Sequence, residues 1–126
     1  MHKGIKMNLK DIAVKFLRLV VEGKIDEAYE KYVDMNGKHH NIYFSAGFSN
    51  LKDAMKENHK QFPNKVFEIK KAIAEENMVA THALITLGEK RLAVVHFLRF
   101  ENGKIVEMWD VGQEIPKELP NKDGAF

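Results

Sequence analysis

The chain has 126 residues, enough for one domain with a substantial core, and its 44% hydrophobic and 30% charged residues exclude a disordered chain. The 20 basic and 18 acidic residues are interspersed and leave a formal charge of +2, which argues against nucleic-acid binding because that function needs a basic face. Cysteine is absent, which excludes disulfides and thiolate zinc sites. The apolar run at residues 12–21 contains Lys15 and Arg18 and is too short to cross a bilayer, and residues 1–7 lack the apolar core of a signal peptide. We therefore expect a single cytoplasmic domain over residues 1–126 that binds neither membrane nor nucleic acid.

The first half of the chain predicts three amphipathic helices. Apolar residues recur at helical spacing in three segments, residues 9–22, 25–33 and 51–62. Asn8, followed three positions later by Asp11, predicts an N-cap for the first helix, and Pro63 ends the third. Turn-forming residues at 34–37 separate the second helix from a short predicted strand at residues 39–44.

The second half changes to the period of two that is typical of β-strands. Four strands are predicted, at residues 66–76, 78–87, 92–101 and 104–111. The tail from about residue 116 contains Pro120 and Gly124, and we expect it to be an extended arm. Because helices precede an antiparallel meander, the expected fold is α+β, with the helices packed on one face of a curved antiparallel sheet.

Two polar side chains, His96 and Asp110, interrupt apolar faces of the last two strands. A two-residue turn at Asn102-Gly103 would place them on opposite faces of the sheet. A three-residue loop with a bulge at Gly103 would instead pair Phe100 with Lys104, and we favour this register because it separates the charged side chains from the apolar ones. His96 then lies diagonal to Asp110, at about 7 to 8 Å.

A buried carboxylate and imidazole without partners would cost on the order of 2 to 7 kcal/mol each. One interpretation is structural: His96 and Asp110 bond to each other or to the backbone and stabilise the sheet. The other is functional, because an apolar surrounding tunes such groups towards acid-base chemistry near neutral pH. The residues alone leave both open.

Three segments resemble one protein family. They are VVHFLRFENGKIVEMWDV at residues 94–111, KHHN at residues 38–41 and PNKDGAF at residues 120–126. Together with the order of helices and strands, they resemble the SnoaL-like polyketide cyclases, within the superfamily of nuclear transport factor 2-like and ketosteroid isomerase-like proteins. The resemblance covers nearly the whole chain and implies a cystatin-like cone.

In the cyclases of this family, an aspartate on the last strand acts as acid and base in an aldol ring closure, assisted by a histidine on the neighbouring strand. The resemblance carries these roles to Asp110 and His96. The chain departs from the family pattern at Ile42, where proline often follows the His-Asn pair, and at Met108, where histidine is frequent.

The remaining site residues follow partly from this resemblance. His39 and His40 are adjacent in a predicted strand and must point to opposite faces, and by analogy we choose His40 as the residue that faces the pocket. His59 lies on the apolar stripe of the third helix, where a packing role is expected. The expected apolar lining of the pocket is Phe62, Leu98 and Met108. Three inward histidines could hold zinc, but no ligand spacing supports a metal site, and we expect neither metal nor cofactor.

Two functions fit these features. The first is acid-base catalysis, an aldol cyclisation or isomerisation of a small carbonyl compound, and the second is a non-catalytic binding or scaffold protein with the same apolar pocket. The expected partner is a small apolar or carbonyl-containing molecule. The outer sheet face carries Val95, Phe97, Ile105, Trp109 and Val111, which is too much apolar surface for a small monomer, so we also expect a homodimer anchored by Trp109.

Overall fold

The computed structural model describes residues 7–126 as three helices and a five-stranded sheet. The helices are α1 (Leu9–Val21), α2 (Ile25–Tyr32) and α3 (Phe48–Gln61), and the strands are β1 (Val33–His39), β2 (Val66–Glu75), β3 (Met78–Leu87), β4 (Lys90–Glu101) and β5 (Lys104–Glu114). The strand order in the sheet is β1-β5-β4-β3-β2. The α+β class and the four-stranded meander are as predicted, but β1 pairs in parallel with β5 and makes the sheet mixed. No helix within residues 7–126 has the length and apolar character needed to cross a membrane.

The helix boundaries follow the local chemistry, with one correction. The Asn8 side chain accepts a hydrogen bond from the backbone N–H of Asp11 at 2.9 Å, so the predicted cap of α1 is confirmed. The predicted start of α3 near residue 51 is wrong, because the helix begins at Phe48 after the left-handed Gly47. Phe48 is fully buried against Tyr29, and this tertiary packing makes the helix begin earlier than the local apolar spacing predicts.

Residues 33–39 form β1, which corrects the predicted turn at residues 34–37 and strand at residues 39–44. The pairing with β5 is irregular, since Val33 lies opposite Ile105 and Lys38 opposite Glu107. A Cβ atom at Gly37 would lie 2.2 Å from the carbonyl oxygen of Val106. Glycine at residue 37 therefore lets β1 approach β5 closely enough to join the sheet.

The register of β4 and β5 corrects the favoured alternative. The hairpin closes with a two-residue turn, in which Asn102 and Gly103 have φ values of 52° and 76° and Glu101 pairs with Lys104. The extra residue lies further along, because Arg99 pairs with Glu107 while Phe100 pairs with Ile105, which leaves Val106 as a β-bulge. Because of this bulge, His96 and Asp110 lie on the same face of the sheet, as predicted.

The main core lies between the helices and one face of the sheet. Its sheet side contains Val79, Leu98, Phe100, Ile105 and Met108, and its helix side contains Phe16, Tyr29 and Phe48, whose rings meet edge to face. Ile105 is fully buried in this core, so its predicted place on the outer face is wrong. The reason is the two-residue turn, which pairs Ile105 with the inward-facing Phe100.

The tail packs on the opposite, outer face of the sheet. Ile115 lies in a second buried cluster with Leu84 and Ala93, and Leu119 and Ala125 pack against that cluster. The tail is therefore packed on the sheet, and its apolar residues cover this part of the outer face. Apolar surface remains exposed further along that face, at Phe97 and Val111.

Candidate functional site

His96 and Asp110 lie directly opposite each other on the face of the sheet that carries the helices. Nε2 of His96 is 3.6 Å from Oδ1 of Asp110, and the two side chains are only 12% and 23% exposed. The prediction that the pair shares one face is confirmed, while the predicted diagonal arrangement is replaced by direct pairing. The two groups are near enough to act on the same bound molecule.

Leu98 and Met108 lie next to this pair and opposite each other on β4 and β5. Both are buried in the main core. They place an apolar wall beside the carboxylate and the imidazole. Phe62, the other residue of the expected lining, is half-buried where it caps the C-terminus of α3.

Burial lowers the pKa of His96 below its ordinary value, and the negative charge of Asp110 opposes that effect. Nδ1 of His96 is buried and has no hydrogen-bond partner among residues 7–126. The neutral imidazole thus presents a polar nitrogen that can accept or donate, according to its tautomer.

Two further polar side chains lie beside the pair, and no motif in the sequence indicated either of them. Thr81 pairs with His96 across β3 and β4, and its hydroxyl is also buried without a partner in the described part of the chain. Tyr29 lies in α2, where burial, with a contribution from the charge of Asp110, raises the pKa of its phenol. Tyr29 therefore stays neutral and keeps its O–H as a donor. Both residues looked like core positions because their neighbours are apolar.

Asn41 supplies the closest contact to the carboxylate. Its Nδ2 donates to Oδ2 of Asp110 at 2.6 Å, and its Oδ1 accepts from the backbone N–H of Tyr43 at 3.0 Å. The KHHN segment contains the signal for Asn41, but the adjacent His40 was predicted to face the pocket instead.

The choice between His39 and His40 is corrected. His40 points to the outer face, where its Nε2 lies 2.6 Å from Oε2 of Glu107 and its ring stacks on Trp109 with the centroids 5.0 Å apart. His39 is the buried one, at 8% exposure. The reversal follows from β1, whose register puts His39 opposite the inward-facing Met108.

The other predicted histidine positions lie away from the pair. His59 packs against Gly23, where any Cβ would lie 2.3 Å from its Nε2, and its Nδ1 has no partner within residues 7–126. His82 faces outwards, with its ring 4.9 Å from that of Phe126. In the described range, no three His, Cys, Asp or Glu side chains form a group that could hold a metal ion.

Two surface clefts are found elsewhere on the molecule. One, of about 450 Å³, lies along α1 and is lined by Lys10, Arg18 and Ala72 among others. The other, of about 230 Å³, lies under the tail between Arg91 and Phe126. His96 and Asp110 line neither of them.

A curved mixed sheet with three helices on one face and a polar pair on that face defines a class of small domains, the nuclear transport factor 2-like fold. A sequence model of the SnoaL-like polyketide cyclases matches residues 10–118, and the chain belongs to that family. No curated protein matches the chain in sequence.

Solved structures share the fold at low sequence identity. A SnoaL-like polyketide cyclase from Agrobacterium tumefaciens is 21% identical, with a TM-score of 0.71 over 86% of this chain and 93% of its own. An uncharacterized cystatin fold protein from Novosphingobium aromaticivorans is 17% identical, with a TM-score of 0.74 over 84% and 99% of the two chains. An NTF2-like protein of unknown function from Cytophaga hutchinsonii is 15% identical, with a TM-score of 0.72 over 88% and 95%. At these identities the likeness establishes the fold.

Proposed function

We propose that the protein is an acid-base enzyme that acts on a small carbonyl compound, with Asp110 as the base and His96 as its partner at the carbonyl oxygen. The observation that carries the proposal is the pairing of an imidazole and a carboxylate at 3.6 Å, both largely buried and beside an apolar wall. A carboxylate in such a place can take a proton from the carbon next to a carbonyl, and a neighbouring donor stabilises the enolate oxygen.

The polar atoms around the pair support this chemistry. Nδ1 of His96 and the hydroxyl of Thr81, the residue opposite His96 on β3, have no hydrogen-bond partner among residues 7–126, and the phenol of Tyr29 is neutral and lies near enough to Asp110 for the charge of that residue to act on it. Buried polar groups are costly without partners, so an oxygen-containing ligand would gain hydrogen bonds here that the protein alone does not make. The family is named for polyketide cyclases, and a cyclisation belongs to the proposed reaction class.

Proton abstraction can be tested before the natural substrate is known. Small ketones with acidic α-protons are incubated with the protein in D2O, and the loss of each α-proton signal is followed by NMR. We expect the unmutated protein to accelerate exchange for at least one ketone and Asp110→Asn to abolish the acceleration, because the amide keeps the shape of the side chain but not its basicity.

The matched control is Asp53→Asn, which removes an exposed aspartate from α3. This variant should keep full exchange activity, and circular dichroism should show that both variants are folded. Undiminished exchange by Asp110→Asn would contradict the assignment of the base. Saturable binding of a ketone without any exchange would favour the alternative, a non-catalytic binding protein.

A further inference from the structure

His39 is a buried residue that the proposed chemistry does not use, and both of its ring nitrogens are engaged. Its Nδ1 accepts a hydrogen bond from the backbone N–H of Asn41 at 3.1 Å, and its Nε2 lies 2.8 Å from the backbone carbonyl of Ser45. A backbone N–H can only donate, so Nδ1 must be the unprotonated nitrogen, and Nε2 carries the hydrogen that is donated to Ser45. One imidazole thus holds both ends of the loop at residues 41–45.

This loop has little apolar anchoring of its own. Ile42 and Tyr43 are 85% and 83% exposed, so they gain almost nothing from burial. A loop without buried side chains is held mainly by its polar contacts, and the two hydrogen bonds of His39 are contacts of that kind.

The loop in turn orients the amide of Asn41. The Oδ1 atom of Asn41 is occupied by the N–H of Tyr43, so Nδ2 must point towards Asp110, where it donates to Oδ2 at 2.6 Å. That hydrogen bond requires a lone pair on Oδ2. The other carboxylate oxygen, Oδ1, is the one that faces His96.

We propose that His39 is a positioning residue of the site: through Asn41 it ties down Oδ2 of Asp110, so that the proton taken from a substrate goes to Oδ1, beside His96. The catalytic role in this inference rests on the proposed function, whereas the hydrogen bonds from His39 through Asn41 to Asp110 do not depend on it. A carboxylate that is held by one oxygen presents the other in a fixed direction, and fixed direction is a large part of what an active site contributes to the rate.

The test reads the Asn41 side-chain amide directly, by NMR hydrogen exchange on uniformly 15N-labelled protein. In the unmutated protein the Nδ2 protons should be protected. In Asp110→Ala and in His39→Phe we expect the protection to fall by about tenfold or more, because hydrogen bonds to a charged group are among the strongest that a side chain makes. His39→Phe keeps the size and aromaticity of the ring and removes both of its hydrogen bonds.

Two further variants separate positioning from general damage to the fold. His39→Asn keeps an acceptor near the place of Nδ1, which can hold the N–H of Asn41, and should retain most of the protection. His82→Phe makes the same replacement at a histidine on the outer face and should leave the Asn41 amide unchanged.

The outcomes are distinct. Unaltered protection in His39→Phe would overturn the inference, as would an equal loss in His82→Phe. If His39→Phe fails to fold, the comparison of His39→Asn with Asp110→Ala decides, because the inference requires protection in the first and loss in the second. The ketone exchange assay tests the proposed function. The hydrogen exchange of the Asn41 amide tests the positioning role of His39, and it does so whether or not the protein acts on any ketone.

Discussion

The replacement Gly37→Ala tests how β1 and the bulge in β5 position the site. An added Cβ atom would lie 2.2 Å from the carbonyl oxygen of Val106 and 2.8 Å from Cε2 of Phe48. An ordinary contact between carbon and oxygen needs about 1 Å more than the first distance, and the oxygen belongs to a hydrogen-bonded backbone that cannot rotate away. We expect the free energy of unfolding to fall by about 1 to 3 kcal/mol, the usual cost of overpacking, or by more if the strand separates.

Gly112→Ala is the matched control, because it adds the same methyl group to a neighbouring strand of the sheet. The nearest atom to its Cβ would be Cγ2 of Val94 at 3.3 Å, a side-chain atom that needs to move only slightly. Its effect on the free energy of unfolding should stay within about 0.5 kcal/mol, as for an ordinary surface substitution. Urea titration followed by the fluorescence of Trp109, the one tryptophan of the chain, measures both variants.

Equal unfolding midpoints for Gly37→Ala and Gly112→Ala would refute the reasoning. If Gly37→Ala is destabilised as expected, the site should suffer too, since β1 ends at His39 and carries the loop that holds Asn41. The Asn41 side-chain amide should then lose protection against hydrogen exchange, while it keeps that protection in Gly112→Ala.

Four further outcomes are expected. Asp110→Asn should lower the pKa of His96 further, because it removes the negative charge that opposes the effect of burial, and an NMR titration that finds no change would show that the two groups are not coupled. A hydrogen bond from His40, aided by Arg99, holds the pKa of Glu107 below its ordinary value. The stability that Glu107 provides is therefore fully present when the pH is above the ordinary pKa, and it is lost as the pH falls through the lowered pKa. Glu107→Gln should accordingly reduce the melting temperature at neutral pH but not in strong acid. Thr81→Val should leave the melting temperature unchanged or raise it, because it removes a buried hydroxyl that has no partner among the described residues, and a drop of several degrees would contradict this. Light scattering should give the mass of two chains, and Trp109→Ala should weaken the dimer; the mass of one chain for the unmutated protein would exclude it.

The sequence predicted the elements whose signals are local. Asn8 capped α1 as expected, and the change of period located the four antiparallel strands. β1 was missed because its pairing with β5 depends on the fit between Gly37 and Val106, two residues far apart in the chain. Asp34, Asn36 and Gly37 are residue types that are depleted in strands, so the local propensity of this segment favoured a turn.

The packing of the tail was also not predictable from the sequence. Its prolines and glycine indicated an extended segment, and no strand follows residue 114. The sequence could not show that Ile115 would be buried against Leu84 and Ala93, since a single apolar residue in an irregular segment has no period to reveal a partner. The tail thereby covers part of the outer face that is expected to form the dimer, while Phe97 and Val111 on that face stay exposed.

The prediction that His96 and Asp110 share a face depended on the number of residues between them and not on any local contact. His96 and Asp110 share a face if one extra residue lies between them, and that residue can sit in the turn or at a bulge. The alternation of apolar and charged side chains indicated that an extra residue is present but could not locate it. The predicted face of His96 and Asp110 was therefore right, while the predicted pairing of β4 with β5 was wrong. Its true location at Val106 matters for the chemistry, because it puts the imidazole directly opposite the carboxylate at 3.6 Å. At that separation both groups can reach one bound molecule, whereas the diagonal arrangement would have held them about 7 to 8 Å apart.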